Sequence, residues 1–304
     1  MTLNKLVAII AVLGVMSALA FLVREAYTLG LLYMVLIYVI LAESWNILGG
    51  YAGQICLGIG AFFGVGSYAA MMLTHNGVPA PICILAGGVV AVFLGVAVIP
   101  ALKLRGVYFA IGTLFLPEIV KVIVLNLKET GGAKGLLPPL GLFVSRAHLY
   151  ISSLVMAVLV VAVAYRITNS RIGLAFRAIR EDDEAAECCG VNPLRFKVLA
   201  LLISAFIAGI AGGLHAYYVP YLEPYSAFNI LWSISPVFMS IIGGAGTISG
   251  PVIGAGIFAF LRFWLLPILG EIDLIVMGSA LIVVVMLMPE GVAGIIKRGV
   301  KVLF

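Results

Sequence analysis

The sequence predicts an all-α polytopic membrane protein, and three observations support this fold class. Of its 304 residues, 63% are hydrophobic and 10% are charged, and the mean hydropathy is +1.23. Apolar runs follow one another along the chain, and about 20 apolar residues are enough for a helix to cross a bilayer. The segment 166–197 holds 11 of the 31 charged side chains. Together these features indicate one transmembrane domain over residues 1–304.

The apolar runs predict about ten membrane-spanning helices. Runs long enough to span occur at 6–23, 28–48, 57–74, 81–102, 107–127, 148–165, 198–219, 251–268 and 272–288. The segment 231–242 is shorter, since a helix of this length covers only about 18 Å, and Pro236 interrupts it. We expect a short or re-entrant helix there. The chain therefore has either ten spans or eight spans plus a re-entrant hairpin within 231–268.

Lysine and arginine predict the orientation, because loops rich in these residues stay in the cytoplasm. The segment 166–197 and the tail with Lys297, Arg298 and Lys301 are assigned to the cytoplasm, which places both chain ends there. The loop 128–147 then lies outside. The formal net charge of +5 reflects this topology, and no basic patch with interleaved aromatic residues suggests nucleic-acid binding.

Several kinds of chemistry find no support in the sequence. Cys188 and Cys189 are adjacent and the other two cysteines fall in or beside apolar runs, so a disulfide framework is not expected. The three histidines are scattered, and no metal site is indicated. No G-x-x-x-x-G-K-[S/T] loop is present to bind nucleotide phosphates. An intramembrane enzyme would need paired carboxylates or clustered histidines, so it is the least favoured class.

Glycine is concentrated at 49–66 and 243–256. Pairs four residues apart, which allow close approach of helix backbones, are Gly60/Gly64, Gly209/Gly213 and Gly250/Gly254. They indicate either helix packing or breaks at which backbone groups line a polar path.

The charged segment predicts a short helix of two turns. Acidic residues at 182–184 suit a helix N-terminus, and Gly190 suits the position just after the C-terminus. Asn192 and Pro193 supply the N-cap and first residue of the next spanning helix, which starts near Leu194. On charge alone this short helix is a solvated connector or a docking site for a soluble partner.

Glu184-Ala185-Ala186 followed by Gly190 resembles the EAA loop of ATP-binding-cassette importer permeases, in which a short cytoplasmic helix docks on the ATPase. The wider pattern resembles the branched-chain amino acid permease family, in particular its LivM-like second subunit. The stretches that carry this resemblance are Ser170–Gly173, Arg177–Asp182, Arg195–Lys197, Asn46–Gly66, Leu104–Thr113 with Glu118, Thr130–Gly135 and Gly243–Gly250.

The resemblance implies a type II importer-like permease of about ten helices, with the coupling helix between the sixth and seventh spans. It also implies a sister permease that forms a heterodimer with this chain, two ABC ATPase subunits and a periplasmic solute-binding protein. ATP would be used by the partner subunits, and this chain would bind no cofactor. The location would be the bacterial inner membrane. The residues assigned to ATPase coupling are Arg177, Arg180, Glu181, Asp182, Glu184, Ala185, Ala186 and Gly190.

Charged and polar residues within spans are candidates for the translocation path. Glu43 and Asn46 share a helix face and could form an inner gate or bond to a neighbouring helix. Glu118 has Lys121 one turn away, so it is a path residue or half of a structural ion pair. By resemblance, Gln54 and Thr113 join the path. The same resemblance assigns Thr130, Gly131 and Gly132 to a periplasmic loop.

The expected function is the permease subunit of an importer for branched-chain or other hydrophobic amino acids, with no enzymatic activity of its own. An alternative within the same class is transport of urea, short amides or aromatic carboxylates. An alternative of another class is a secondary transporter or channel that uses the broken region 231–256 as its site.

Overall fold

The computed structural model describes residues 26–104, 106–138, 145–265, 278–279, 286 and 291–294. The predicted span 6–23, the basic tail and all but three residues of the predicted span 272–288 lie outside this part of the chain. Within it the secondary structure is helical, with a single isolated β-bridge between Leu136 and Leu222. The all-α prediction is confirmed for these residues.

The helices are α1 (Ala26–Trp45), α2 (Ile59–His75), α3 (Ala80–Val98), α4 (Val107–Leu114), α5 (Leu116–Asn126), α6 (Arg146–Thr168), α7 (Arg171–Glu181), α8 (Asp183–Cys188), α9 (Pro193–Tyr218), α10 (Pro224–Ala227), α11 (Leu231–Gly243) and α12 (Ser249–Phe260). π-helical turns follow α1 at Asn46–Tyr51 and α12 at Leu261–Leu265. Short 3-10 turns occur at Ile99–Lys103 and Gly132–Lys134.

Six helical stretches of the described residues are long and apolar enough to cross a membrane. They are Tyr27–Tyr51, Ala80–Lys103, Val107–Asn126, Arg146–Thr168, Pro193–Tyr218 and Pro224–Gly243. Repeated apolar helices of this length make the chain a multi-pass membrane protein.

The predicted span 107–127 is broken into two helices, α4 and α5, which meet at Phe115. Pro117 explains the break, because it has no backbone N–H to donate to the carbonyl four residues earlier and its ring crowds that carbonyl. Proline is tolerated in the first turn of a helix, and Pro117 occupies such a position in α5. The predicted span is therefore present as an apolar stretch, but it consists of two helices instead of one.

The short helix predicted at 231–242 is confirmed as α11, which contains Pro236 and ends at Gly243. A tight turn connects it to α12, and the two helices form a close hairpin. A Cβ added at Gly254 would overlap the carbonyl oxygen of Met239, and one added at Gly243 would overlap that of Gly250. The spaced glycines at 250 and 254 therefore serve helix packing.

Helix α9 lies at the centre of the described bundle, in contact with α1, α2 and α3. Glycines make these contacts close: an added Cβ at Gly209 would lie 2.7 Å from the carbonyl oxygen of Gly87, and one at Gly212 would overlap the carbonyl oxygen of Phe63. Large apolar side chains remain exposed on α3, α4 and α5. The bundle thus buries α1 and α9, whereas α3, α4 and α5 each present an apolar face outward.

Candidate coupling and translocation site

Helix α7 packs one face against the base of α9. The Ser170 hydroxyl caps it by accepting a hydrogen bond from the backbone N–H of Ile172 at 3.2 Å. The buried face includes Phe176 and Ile179, and the ring of Phe176 meets Phe196 of α9 edge-on, with centroids 6.3 Å apart. This apolar contact fixes the start of the charged segment on the bundle.

Helix α8 forms as the sequence predicts. The Asp182 carboxylate accepts hydrogen bonds from the N–H groups of Glu184 and Ala185 at 2.8 and 2.9 Å, which caps the N-terminus. Gly190 has a φ of +81°, the left-handed conformation that favours glycine after a helix C-terminus. Its N–H donates to the carbonyl of Glu187 at 2.9 Å, so both helix ends are closed by local hydrogen bonds.

The outer face of α8 is exposed. Glu184, Ala185 and Gly190 are exposed, whereas Ala186 is buried against the bundle. Lys197 of α9 lies 2.5 Å from the Asp183 carboxylate and ties the start of α8 to the base of α9. A capped helix held by an ion pair and showing acidic side chains outward is suited to receive a partner surface.

The start of α9 also agrees with the sequence. The Asn192 side chain accepts a hydrogen bond from the N–H of Arg195 at 3.1 Å, and Pro193 is the first residue of the helix. Because α8 and α9 are separated by only four residues, a displacement of α8 bears directly on the base of α9.

Two arginines assigned to ATPase coupling, Arg177 and Arg180, donate hydrogen bonds to backbone carbonyls. Arg177 donates to the carbonyls of Gly173 and Thr168, both at 3.2 Å. Arg180 donates to the carbonyl of Gly50 at 2.6 Å. Arg180 thereby joins the charged segment to the π-helical turn that follows α1.

The two glycine-rich stretches meet at this point. The Asn46 side-chain amide donates to the carbonyl of Thr247 at 2.9 Å, and its oxygen accepts from the N–H of Gly246 at 2.8 Å. The Arg180 guanidinium lies beside Gly246. The π-helical turn after α1, the turn between α11 and α12, and the charged segment are therefore linked by two side chains, Asn46 and Arg180.

Glu43 is fully buried one turn before Asn46. One carboxylate oxygen lies 3.5 Å from the Asn46 amide nitrogen, and the other has no hydrogen-bond partner among the described residues. The structure thus favours the hydrogen-bonding interpretation for Asn46, whose amide is engaged by backbone groups. At the end of α1, one Glu43 carboxylate oxygen therefore remains able to accept a hydrogen bond.

A cleft of about 390 Å³ lies between the charged segment and the extended chain after α1. Its lining residues are Ala52, Gly53, Gln54, Ile179, Arg180, Glu181, Asp182, Asp183 and Glu184. Gln54 is 8% exposed and contributes to this cleft. The structure therefore brings one residue of the predicted path together with four of the predicted coupling residues.

Thr113 is placed as a structural connector. It is buried, its hydroxyl accepts from the N–H of Leu57 at 3.0 Å, and it donates to the carbonyl of Phe109 at 2.9 Å. These bonds hold the chain before α2 against α4. Its hydroxyl is consequently engaged within the protein.

The predicted periplasmic loop follows α5. The Thr130 hydroxyl donates to the carbonyls of Val124 and Leu127 at 2.7 and 2.9 Å, which anchors the loop to the end of α5. Gly131 and Gly132 both have positive φ angles. A few residues later the Leu136–Leu222 bridge attaches the loop to the chain after α9.

Glu118 forms an ion pair with Lys121 on α5. Its carboxylate is 2.5 Å from the Lys121 ammonium, and its side chain is 52% exposed while that of Lys121 is 16% exposed. The Lys121 ammonium also lies 5.5 Å from the centre of the Tyr225 ring. The predicted ion pair is thus formed, with the carboxylate turned outward.

The hydrogen-bond partners of Asn46 and Arg180 are not predicted by the sequence. Gly50, Gly246 and Thr247 lie in the two glycine-rich stretches, but they contribute backbone groups, so no side chain identified them as the partners of Arg180 and Asn46. The available signal was the polar side chain of Asn46 in an apolar span beside one glycine-rich stretch. Within the described residues, no group of three or more His, Cys, Asp or Glu side chains is arranged to hold a metal ion.

Repeated apolar helices of membrane-spanning length, joined at broken ends by a polar cluster, are typical of polytopic membrane transport proteins. A family model described as the permease component of branched-chain amino acid transport systems matches residues 27–287. The chain belongs to this family.

Named relatives agree with this assignment. The chain is 30% identical over 332 residues to the high-affinity branched-chain amino acid transport system permease protein LivM of Escherichia coli K12, covering 99% of this chain and 77% of that protein. It is 32% identical over 129 residues to the LivH permease protein of the same strain, covering 42% of this chain and 41% of LivH. A probable LivM of Methanocaldococcus jannaschii is 27% identical over 166 residues, covering 52% of this chain and 47% of that protein. No solved structure matches.

Proposed function

We propose that this chain is a permease subunit of an ATP-binding-cassette importer for branched-chain or other hydrophobic amino acids. Family membership supports transport rather than catalysis. The relatives reported above are named for branched-chain amino acid transport, which does not favour urea, short amides or aromatic carboxylates as substrates. The same names do not favour a secondary transporter or channel.

The observation that carries the coupling proposal is the hydrogen bond from Arg180 to the carbonyl of Gly50. Helix α8 presents an exposed acidic surface, and Arg180 lies just before it in the chain. A partner that moves α8 would therefore pull on the π-helical turn after α1 and, through Asn46, on the turn between α11 and α12. This connection is a physical route from a docked ATPase to the membrane helices.

The proposed assembly contains a sister permease, two ATPase subunits and a periplasmic solute-binding protein. Similarity to both LivM and LivH of one strain is consistent with two related permeases forming a heterodimer. ATP would be hydrolysed by the partner subunits, and this chain would bind no cofactor. Its exposed surface at Glu181, Glu184, Ala185 and Gly190 would contact the ATPase.

In the proposed membrane arrangement, about ten helices span the bacterial inner membrane and both termini are cytoplasmic. The close α11–α12 hairpin forms either two passes or a re-entrant unit. Glu43, Gln54 and Glu118 would lie along the translocation path. Thr130, Gly131 and Gly132 would belong to a periplasmic loop that receives the binding protein.

The test is co-purification from detergent-solubilised membranes with an affinity tag on this chain. Wild type is expected to retain an ATPase whose sequence contains the G-x-x-x-x-G-K-[S/T] loop. Glu184→Lys should reduce the retained ATPase by on the order of tenfold to a hundredfold, because charge reversal in a complementary interface costs several kcal/mol. Gly190→Asp should do the same by adding a side chain and a charge to the docking surface. Both variants should remain inserted in the membrane.

The matched control is Gly190→Asn, which has nearly the same volume as the aspartate variant, tolerates the left-handed conformation and adds no charge. It should retain more ATPase than Gly190→Asp. Unchanged ATPase retention and uptake in both charged variants would remove α8 as the docking site. Purification of the wild-type chain without any ATPase would overturn the importer proposal and favour a secondary transporter.

A further inference from the structure

The Glu118–Lys121 ion pair has an unusual position. Glu118 lies near the middle of the apolar stretch Val107–Asn126, and its side chain is 52% exposed. Exposed side chains around it on α4 and α5 are apolar: Ile111 50%, Phe115 57%, Ile119 56% and Val122 54%. A carboxylate therefore points outward from an otherwise apolar helix surface at mid-depth.

Hydrocarbon is an unsuitable environment for this carboxylate. Charged side chains in membrane spans face the interior of a helix assembly or a water-filled cavity, because contact with lipid tails costs several kcal/mol. Lysine can extend toward the interface, but the shorter glutamate near the centre of a span cannot. The surface around Glu118 is thus best explained as the wall of an aqueous path.

The helix break reinforces this position. The chain is interrupted at Phe115 and resumes as α5, which places Glu118 in the first turn of a helix. Transporter binding sites at mid-depth are commonly formed by discontinuous helices, whose free N-terminal N–H groups attract anionic parts of a substrate. The break therefore adds a partial positive charge close to the exposed Glu118 carboxylate and the partly buried Lys121 ammonium.

Resting on the proposed function, we propose that Glu118 and Lys121 bind the backbone of a zwitterionic amino acid during its passage. The substrate ammonium would donate to Glu118, and the substrate carboxylate would accept from Lys121. In an amino acid the nitrogen and the carboxyl carbon are about 2.5 Å apart, so one molecule can engage both members of the opened pair. The apolar side chains around Glu118 would contact the hydrophobic side chain of the substrate.

Tyr225 makes opening of the pair feasible. Its ring centre lies 5.5 Å from the Lys121 ammonium, within the range at which an aromatic face attracts a cation. Lys121 can thus move from Glu118 toward a substrate carboxylate without losing all favourable contacts. The ion pair is the closed form of the subsite, and the substrate replaces each internal partner with a group of the same charge.

The experiment measures ATP-dependent uptake of radiolabelled leucine into proteoliposomes that contain the complete transporter and saturating binding protein. The variants are Glu118→Gln, Lys121→Gln and the double variant with both changes. We expect each single variant and the double variant to lower the turnover of uptake by about tenfold to a hundredfold, the effect of losing a hydrogen bond to a charged group. Assembly with the partner subunits and their ATP hydrolysis should be retained.

The double variant separates a substrate contact from a structural ion pair. If the pair only neutralises itself, removing both charges leaves no unpaired charge, and the double variant should transport like wild type; that result would overturn the proposal. Lys103→Gln, which removes an exposed cation that lies outside the proposed path, coupling segment and periplasmic loop, is the control and should leave uptake unchanged. Absence of ATP-dependent uptake in wild type would instead refute the proposed function itself.

Discussion

Gly254→Leu is expected to destabilise the protein by more than about 3 kcal/mol, since it forces the α11–α12 hairpin apart. A Cβ at Gly254 would overlap the carbonyl oxygen of Met239 and lie 3.0 Å from the backbone nitrogen of Gly243. Both obstacles are backbone atoms, so no rotamer change can relieve the overlap. For a domain of this size the thermal midpoint should fall by on the order of 10 °C.

The same helix offers a matched control. Gly256 is exposed, and a Cβ added there meets nothing within 4 Å. Gly256→Leu should leave the thermal midpoint unchanged or raise it slightly, because leucine favours a helix more than glycine does. The measurement is the fraction of monodisperse protein that remains in detergent after heating. Equal midpoints for the two variants would show that α11 and α12 are not packed through Gly254.

Asn46→Leu is expected to destabilise the protein by about 2 to 4 kcal/mol. Leucine has a similar volume but leaves the N–H of Gly246 and the carbonyl of Thr247 without their side-chain partner. Each backbone group that loses its partner costs about 1 to 3 kcal/mol, with the lower values for partly buried groups. The turn between α11 and α12 should loosen from α1, and uptake should fall with the thermal midpoint.

Asn126→Leu provides the comparison for this change. The Asn126 side chain is exposed and, among the described residues, its hydrogen bond goes to the carbonyl of Val122 in its own helix, so its loss should cost less than about 0.5 kcal/mol. If Asn46 were instead a residue of the inner gate, Asn46→Leu would abolish uptake at an unchanged thermal midpoint. Thermal unfolding and uptake measured on the same preparations distinguish these two roles.

Local chemistry made parts of this structure predictable. The boundaries of α8 and the start of α9 are set by the Asp182 cap, the left-handed Gly190, the Asn192 cap and the first-turn Pro193. Each of these acts on backbone groups within about three residues. Hydrophobic run length similarly predicted the apolar helices, because membrane thickness fixes the length of a span.

Two features escaped prediction, one for a local reason and one because distant parts of the chain determine it. The break at Phe115 follows from Pro117, a local signal that the length and overall hydropathy of the run do not register. The role of Asn46 depends on Gly246 and Thr247, which are about 200 residues away in the chain. Backbone partners at such a separation leave no periodic pattern in a single sequence.

The sequence by itself determined that this is a helical membrane protein, where its charged segment lies and how the short helix in that segment begins and ends. These properties follow from hydrophobic length and local capping, which act over short stretches of chain. Only the tertiary structure decided that Arg180 reaches Gly50, that Asn46 holds the turn between α11 and α12, and that Glu118 faces outward. Those features depend on how the helices pack. Packing brings distant backbone groups within hydrogen-bonding distance, and no side chain in the sequence identifies these groups in advance.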